Sequence, residues 1–259
     1  MFLKDQVQKN LYLSYLIVSL LLAVFTFFIY VNIDPVTEEP TAWAFVSVII
    51  LIILTPALSG GIMSVTISAH YKSEASVPVL LQEMLPNYWK ILRLGLCIYL
   101  LSIPAVLVTF LVVFLFLFFP PLAVLAAILL SIGLIALLSY LSVQSSVLVL
   151  KDGMRSWQSI KHAFVMLKKA FKKIFLSLLA AFGAYLALSI IFWLAGSLLI
   201  IAIYMVFGLS DSHPVVLLIS SLVAQLTITF PSLFALSVYV KRYKDKIEPE
   251  FRPADQETA

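Results

Sequence analysis

The sequence predicts an all-α polytopic membrane protein: six transmembrane helices with two cytoplasmic interfacial amphipathic helices. Three observations predict it. Hydrophobic residues make up 63% of the chain and charged residues only 12%, far outside the range of a soluble domain. The apolar residues gather into six runs, at about 11–31, 42–69, 94–119, 122–150, 174–207 and 215–240. Each reaches the roughly 20 residues that cross a ~30 Å hydrocarbon layer. All 17 Lys and Arg residues lie in alternate gaps between these runs or at the two ends, while the remaining gaps carry only Asp34, Glu38, Glu39 and Asp211. Cationic side chains are retained on the cytoplasmic side. The expectation is therefore a multi-pass protein of the plasma (inner) membrane with both termini cytoplasmic.

Taken in order, the runs justify themselves. The first follows Lys4 and Lys9 as a secretory signal would, but it is 21 residues long and no small-x-small cleavage site precedes Asn32 and Asp34, so it reads as a retained anchor. The second closes on Thr55-Pro56-Ala57-Leu58-Ser59-Gly60-Gly61, with Ser64, Thr66 and Ser68 beyond. The third holds Cys97, the single cysteine, which excludes an internal disulfide. Pro120-Pro121 reads as a tight hairpin into the fourth, which carries Ser139, Ser142, Gln144, Ser145 and Ser146. The sixth carries Gln225, Thr227, Thr229 and Pro231. No Asp, Glu, Lys, Arg or His falls inside any run, and each would cost about 2.5–3.5 kcal/mol at a helix centre. Residues 1–240 thus form a single transmembrane domain and 241–259 a charged cytoplasmic tail, expected to be disordered beyond a first helical turn.

The two longer basic gaps read as helices. From Ser76, apolar residues Val77, Leu80, Leu81, Met84, Tyr88 and Ile91 share one face, predicting an interfacial helix over about 76–92, started by Pro78 and kinked at Pro86. The second, over about 156–173, starts from an N-cap at Ser156 after the Asp152-Gly153 turn. Its apolar stripe is Trp157, Ile160, Phe164, Leu167, Phe171 and Ile174. Lys161, Lys168 and Lys172 line the polar face, with Lys169 and Lys173 beside it and Arg155 just before. Such a helix lies in the headgroup layer, and each cation near an anionic leaflet gains about 1 kcal/mol. An offset of 83 residues lays Tyr71-Lys72 on Met154-Arg155 and Lys90-Ile91 on Lys173-Ile174, so the two gaps and their flanking runs read as a parallel internal repeat.

Candidate function follows from these features. Arg155, Lys161, Lys168, Lys169, Lys172 and Lys173 are candidate binders of lipid headgroups or of an acidic membrane partner, though the same residues serve equally to orient and anchor the chain. Ser59, Ser142, Gln144 and Gln225 are candidates for a polar path between helices, against the plainer reading of helix–helix packing. Small residues such as Gly60 with Ser64, or Gly183 with Ala187, are candidates for close helix approach. Intramembrane aspartate or serine–histidine proteolysis needs ionisable groups that the runs lack. No H-E-x-x-H, Walker or dinucleotide glycine pattern occurs, and three scattered histidines with one cysteine make no metal cluster. The expectation is a non-catalytic protein without cofactor or metal, an accessory or regulatory component whose partners are membrane lipids or another membrane protein, and not nucleic acid. The alternative is a permease or exporter subunit for a small solute, though lacking the intramembrane charge of a proton-coupled carrier.

Several short motifs carry a resemblance. They are Pro56-Ala57-Leu58-Ser59-Gly60-Gly61, Tyr71-Lys72, Asn87-Tyr88-Trp89-Lys90, Lys151-Asp152-Gly153 and Ser159-Ile160-Lys161-His162-Ala163-Phe164. Across about 42–205 the chain resembles bacterial six-span proteins related to the membrane domain of some glycerophosphodiester phosphodiesterases, and a short family encoded beside carbohydrate transporters. The 259 residues hold no phosphodiesterase domain of their own, so that activity is not carried over. What the resemblance implies is an integral membrane protein.

Overall fold

Hydrophobic sequence of this length has to satisfy its own backbone, and among the described residues it does so with helices alone. The computed structural model describes residues 5–32, 41–115, 120–208 and 213–251. It contains α1 (Asp5–Val31), α2 (Ala42–Tyr71), α3 (Val77–Leu115), α4 (Pro120–Lys151), α5 (Ser156–Lys169), α6 (Phe171–Phe207) and α7 (Pro214–Arg242). Six of these, all but α5, are long and apolar enough to cross a membrane. The protein is an all-α polytopic membrane protein. The acidic gap after α1 and most of the gaps before α4 and α7 lie outside the described residues. Pro120 starts α4, and Pro214 starts α7 behind a His213 N-cap, where a missing N–H costs nothing.

The chain divides into two compact units, Met1–Leu85 with Lys172–Ala259, and Pro86–Phe171. In the first, Val7, Leu11, Tyr15 and Val18 recur at helical spacing along α1 and pack on Leu58, Ile62, Val65 and Ala69 of α2. Phe230 and Leu233 of α7 close this core. Thr66 donates its hydroxyl to the Ile62 carbonyl at 2.8 Å, so the 2.8 Å contact between Tyr15 and Thr66 must have Tyr15 as donor. That bond ties α1 to α2 where water is absent.

In the second unit, Leu94, Val149 and Ile160 form the core, bordered by Cys97, Ile98, Leu101 and Phe164. Two polar contacts fix α5 on α4: Tyr140 donates to the Ala163 carbonyl at 2.9 Å, and the Gln144 amide lies 3.3 Å from the Met166 sulfur. Both α2 and α4 are divided along their length. Their first halves expose Ile49, Ile52 and Ile53, or Ile128, Ile132 and Ile135, while their second halves bury Thr66 in α2 and Gln144, Ser145 and Ser146 in α4. Apolar surface of that kind is what lipid covers, and the small polar residues go to helix contacts.

Five expectations need correction. The segment 76–92 is no separate interfacial helix: α3 runs unbroken for 39 residues through Pro86 and Pro104. Pro86 removes a single amide from the ladder, and the Gln82 carbonyl left without it sits on an exposed residue. The second helix ends at Lys169, and Lys172 and Lys173 belong to the first turn of α6. Its N-cap is Arg155 rather than Ser156. The face of α5 that packs is Ser159, Ile160, Ala163 and Met166, whereas Trp157 and Phe171 of the expected stripe are exposed. The tail is ordered to Phe251, through a π-helical turn (Tyr243–Ile247) and a 3-10 turn (Glu248–Glu250) that bury Tyr243, Ile247 and Glu248. Residues 252–259 lie outside the described residues.

The turns that end α2 and α4 share one form. Lys72 and Glu74 both donate to the Ser68 carbonyl, and Asp152 and Met154 both donate to the Leu148 carbonyl. Ser73 and Gly153 take the left-handed conformation between them, at φ +57° and +67°. These pairs match at 80 residues, three fewer than the 83 that matches Lys90 to Lys173.

Candidate functional site

Packing α5 on α4 through its small-residue face turns the opposite face outward. Lys161, Lys168 and Lys169 are exposed there, and Arg155 is exposed at the helix start. The Lys161 ammonium sits 5.8 Å from the centre of the Trp157 ring, itself exposed. A cation beside an exposed indole is the composition of a headgroup-level surface. Because Tyr140 and Gln144 pin α5 from beneath, these cations stand on a rigid support rather than on a swinging loop.

Lys172 and Lys173 are exposed as well, but belong to the other unit. Lys173 forms an ion pair with Glu250 of the ordered tail. With Lys172, Arg242, Asp245 and Lys246 it borders a cleft of about 580 Å³ in which basic and acidic groups alternate. Thus the six cations are divided between the units, four and two, and one of them is partly neutralised.

The polar-path candidates are also divided. Ser59 and Ser142 are exposed, in the first and second unit respectively. Gln144 is buried and reaches Met166. Gln225 donates to Thr26 of α1 at 2.9 Å and accepts from Thr229 at 2.8 Å. Both glutamines bond as interhelical packing groups do. Among the described residues the buried hydroxyls of Ser145 and Ser221 have no partner.

Sequence reasoning missed two clusters. One surrounds the end of α2: Ser237 lies 2.9 Å from His70 Nε2, Lys244 donates to the His70 carbonyl, and Tyr71 donates to Glu248 while the Lys244 ammonium lies 5.1 Å from its ring centre. No spacing rule links residues more than 160 positions apart. The other is a basic cleft in the second unit that gathers Lys90 and Arg93 of α3 with Arg155. Its signal was legible as two cations three residues apart at the foot of an apolar run. No protein-family model, curated protein or solved structure matches the chain.

Proposed function

We propose that this integral membrane protein is a non-catalytic accessory or regulatory component of the plasma membrane that binds anionic lipid or a membrane partner through its basic surface. The observation that carries the reading is the exposed, rigidly backed cationic face of α5: Lys161, Lys168 and Lys169, with Arg155 at its start. Seven basic residues against one acidic residue over 151–173 give that segment a net +6, attractive to an anionic leaflet. The one-sided distribution of Lys and Arg supports a cytoplasmic placement for this face and for both termini.

Changing Lys161, Lys168, Lys169, Lys172 and Lys173 together to Gln tests the proposal. At about 1 kcal/mol per cation, flotation with anionic vesicles, or capture of a co-purifying membrane partner, should fall by an order of magnitude or more while insertion persists. Unchanged vesicle binding together with unchanged partner capture would remove the proposal. A solute path past Gln144 and Gln225 is the second reading, and no observation favours it, since both amides already bridge helices. Solute flux in liposomes that Gln144→Leu abolishes would reverse that ranking.

A further inference from the structure

Lipid binding of the kind proposed has a specific seat available in the second unit. A cleft of about 550 Å³ opens between α3, the end of α4 and the turn into α5. Its cations are Lys90, Arg93 and Arg155, and no carboxylate lines it. Among the described residues Arg93 and Arg155 form no ion pair. Lys90 donates to the neutral Asn87 amide at 3.0 Å. The adjacent acid, Asp152, is already paired with Lys151 at 3.3 Å. The cleft of the first unit differs on this point, since Asp245 and Glu250 offset its cations. Three uncompensated positive charges converging on a concave surface call for an anion.

The rest of the lining says which anion. Leu96, Cys97 and Val149 also line it, and they lie further into the apolar runs of α3 and α4 than the cations do, so the lining is part basic and part apolar. From Leu96 an exposed apolar stripe continues along α3 through Leu100, Ile103 and Leu107, at helical spacings of four, three and four. Trp89, exposed one turn before Arg93, is the residue type found at headgroup depth. A free phosphate would use only the cations. A ligand with a phosphate and an acyl chain would use cations and stripe together.

We infer that the cleft bounded by Lys90, Arg93 and Arg155 is a binding site for the phosphate headgroup of an anionic lipid, whose acyl chain lies along the Leu96–Leu107 stripe. Arginine suits this role, because its planar fork bonds two phosphate oxygens at once. The start of α5 at Ser156, with no side-chain cap from Arg155, adds the positive end of a helix beside the same cleft. The inference rests on the proposed function and narrows it to one site and one ligand chemistry.

Cys97 is the chain's only thiol and half-buried in the cleft, so its alkylation rate reports occupancy without engineering. The full chain is placed in phosphatidylcholine nanodiscs and titrated with phosphatidic acid, with diacylglycerol, or with inorganic phosphate. Phosphatidic acid alone should slow the reaction. The Lys90→Gln, Arg93→Gln, Arg155→Gln triple variant should need about a hundredfold more of it, at roughly fivefold per cation. Ser156→Trp, which fills the cleft without altering charge, should lose protection as well and serves if the triple variant does not fold. Equal protection by diacylglycerol would overturn the headgroup site, and equal protection by inorganic phosphate would overturn the lipid occupant. Should the cleft variants bind phosphatidic acid normally while the five-lysine variant does not, the cleft inference fails and the broader proposal stands. If neither set loses binding, the cleft inference fails together with the lipid arm of the broader proposal, whose partner arm is then decided by partner capture.

Discussion

Gly61 sets how closely α2 and α3 approach, because a methyl group there would lie 2.6 Å from Met84 Cγ and 2.8 Å from the Leu80 carbonyl oxygen. Gly61→Ala is expected to cost about 1–3 kcal/mol through overpacking, read as a lower melting temperature in detergent. Gly196 is tighter still against Val223 of α7, at 2.2 Å, and here a cycle separates cause from effect: Val223→Ala should restore most of what Gly196→Ala loses. Gly183, which the sequence offered as a contact residue, has open space around it, so Gly183→Ala should leave stability unchanged or raise it. Small residues were recognisable as candidates from sequence. Which of them faced a neighbour was not, since an all-round apolar helix carries no amphipathic stripe to fix its rotation. At Gly153 the constraint is conformational. Its φ of +67° makes Gly153→Val a change costing about 1–2 kcal/mol, with the effect on the α4–α5 turn visible as lost protection of neighbouring amides.

Among elements, the tail departs most from what the sequence suggested. Lys241 to Glu250 is charged and holds a proline, the composition of a disordered segment. Order comes instead from partners far away in the chain. Tyr243 and Ile247 are fully buried, and Glu248 accepts a hydrogen bond from Tyr71 across 177 positions. Truncation after Arg242 should therefore destabilise the first unit by at least the 2–5 kcal/mol of a lost buried isoleucine, where a disordered tail would cost nothing. Tyr71→Phe should cost about 1–3 kcal/mol by taking a donor from a buried carboxylate, with the Glu248→Gln background reducing the penalty. The long helices were legible because 20 apolar residues admit one solution in lipid. The break at Ala170 was not legible, for neither glycine nor proline marks it. The continuity of α3 was missed for the opposite reason, since Pro86 reads as a stop and here is not one.

At the scale of the whole molecule, apolar helices with exposed Leu, Ile and Phe require a hydrocarbon solvent, and the cations then decide which way round the protein sits in it. The basic face of α5 and the Lys90–Arg93–Arg155 cleft can meet anionic headgroups only if they lie on the cytoplasmic side. Net charge supports this sharply: the basic gaps and ends carry +8 and the others −4. The most direct test of the account uses a Cys97→Ser background with one new thiol, Glu38→Cys or Lys161→Cys, in intact cells exposed to a membrane-impermeant maleimide. The account predicts labelling of the first without permeabilisation and of the second only after it. Labelling of both from the same side would contradict the topology, and with it every binding role assigned to the basic surface.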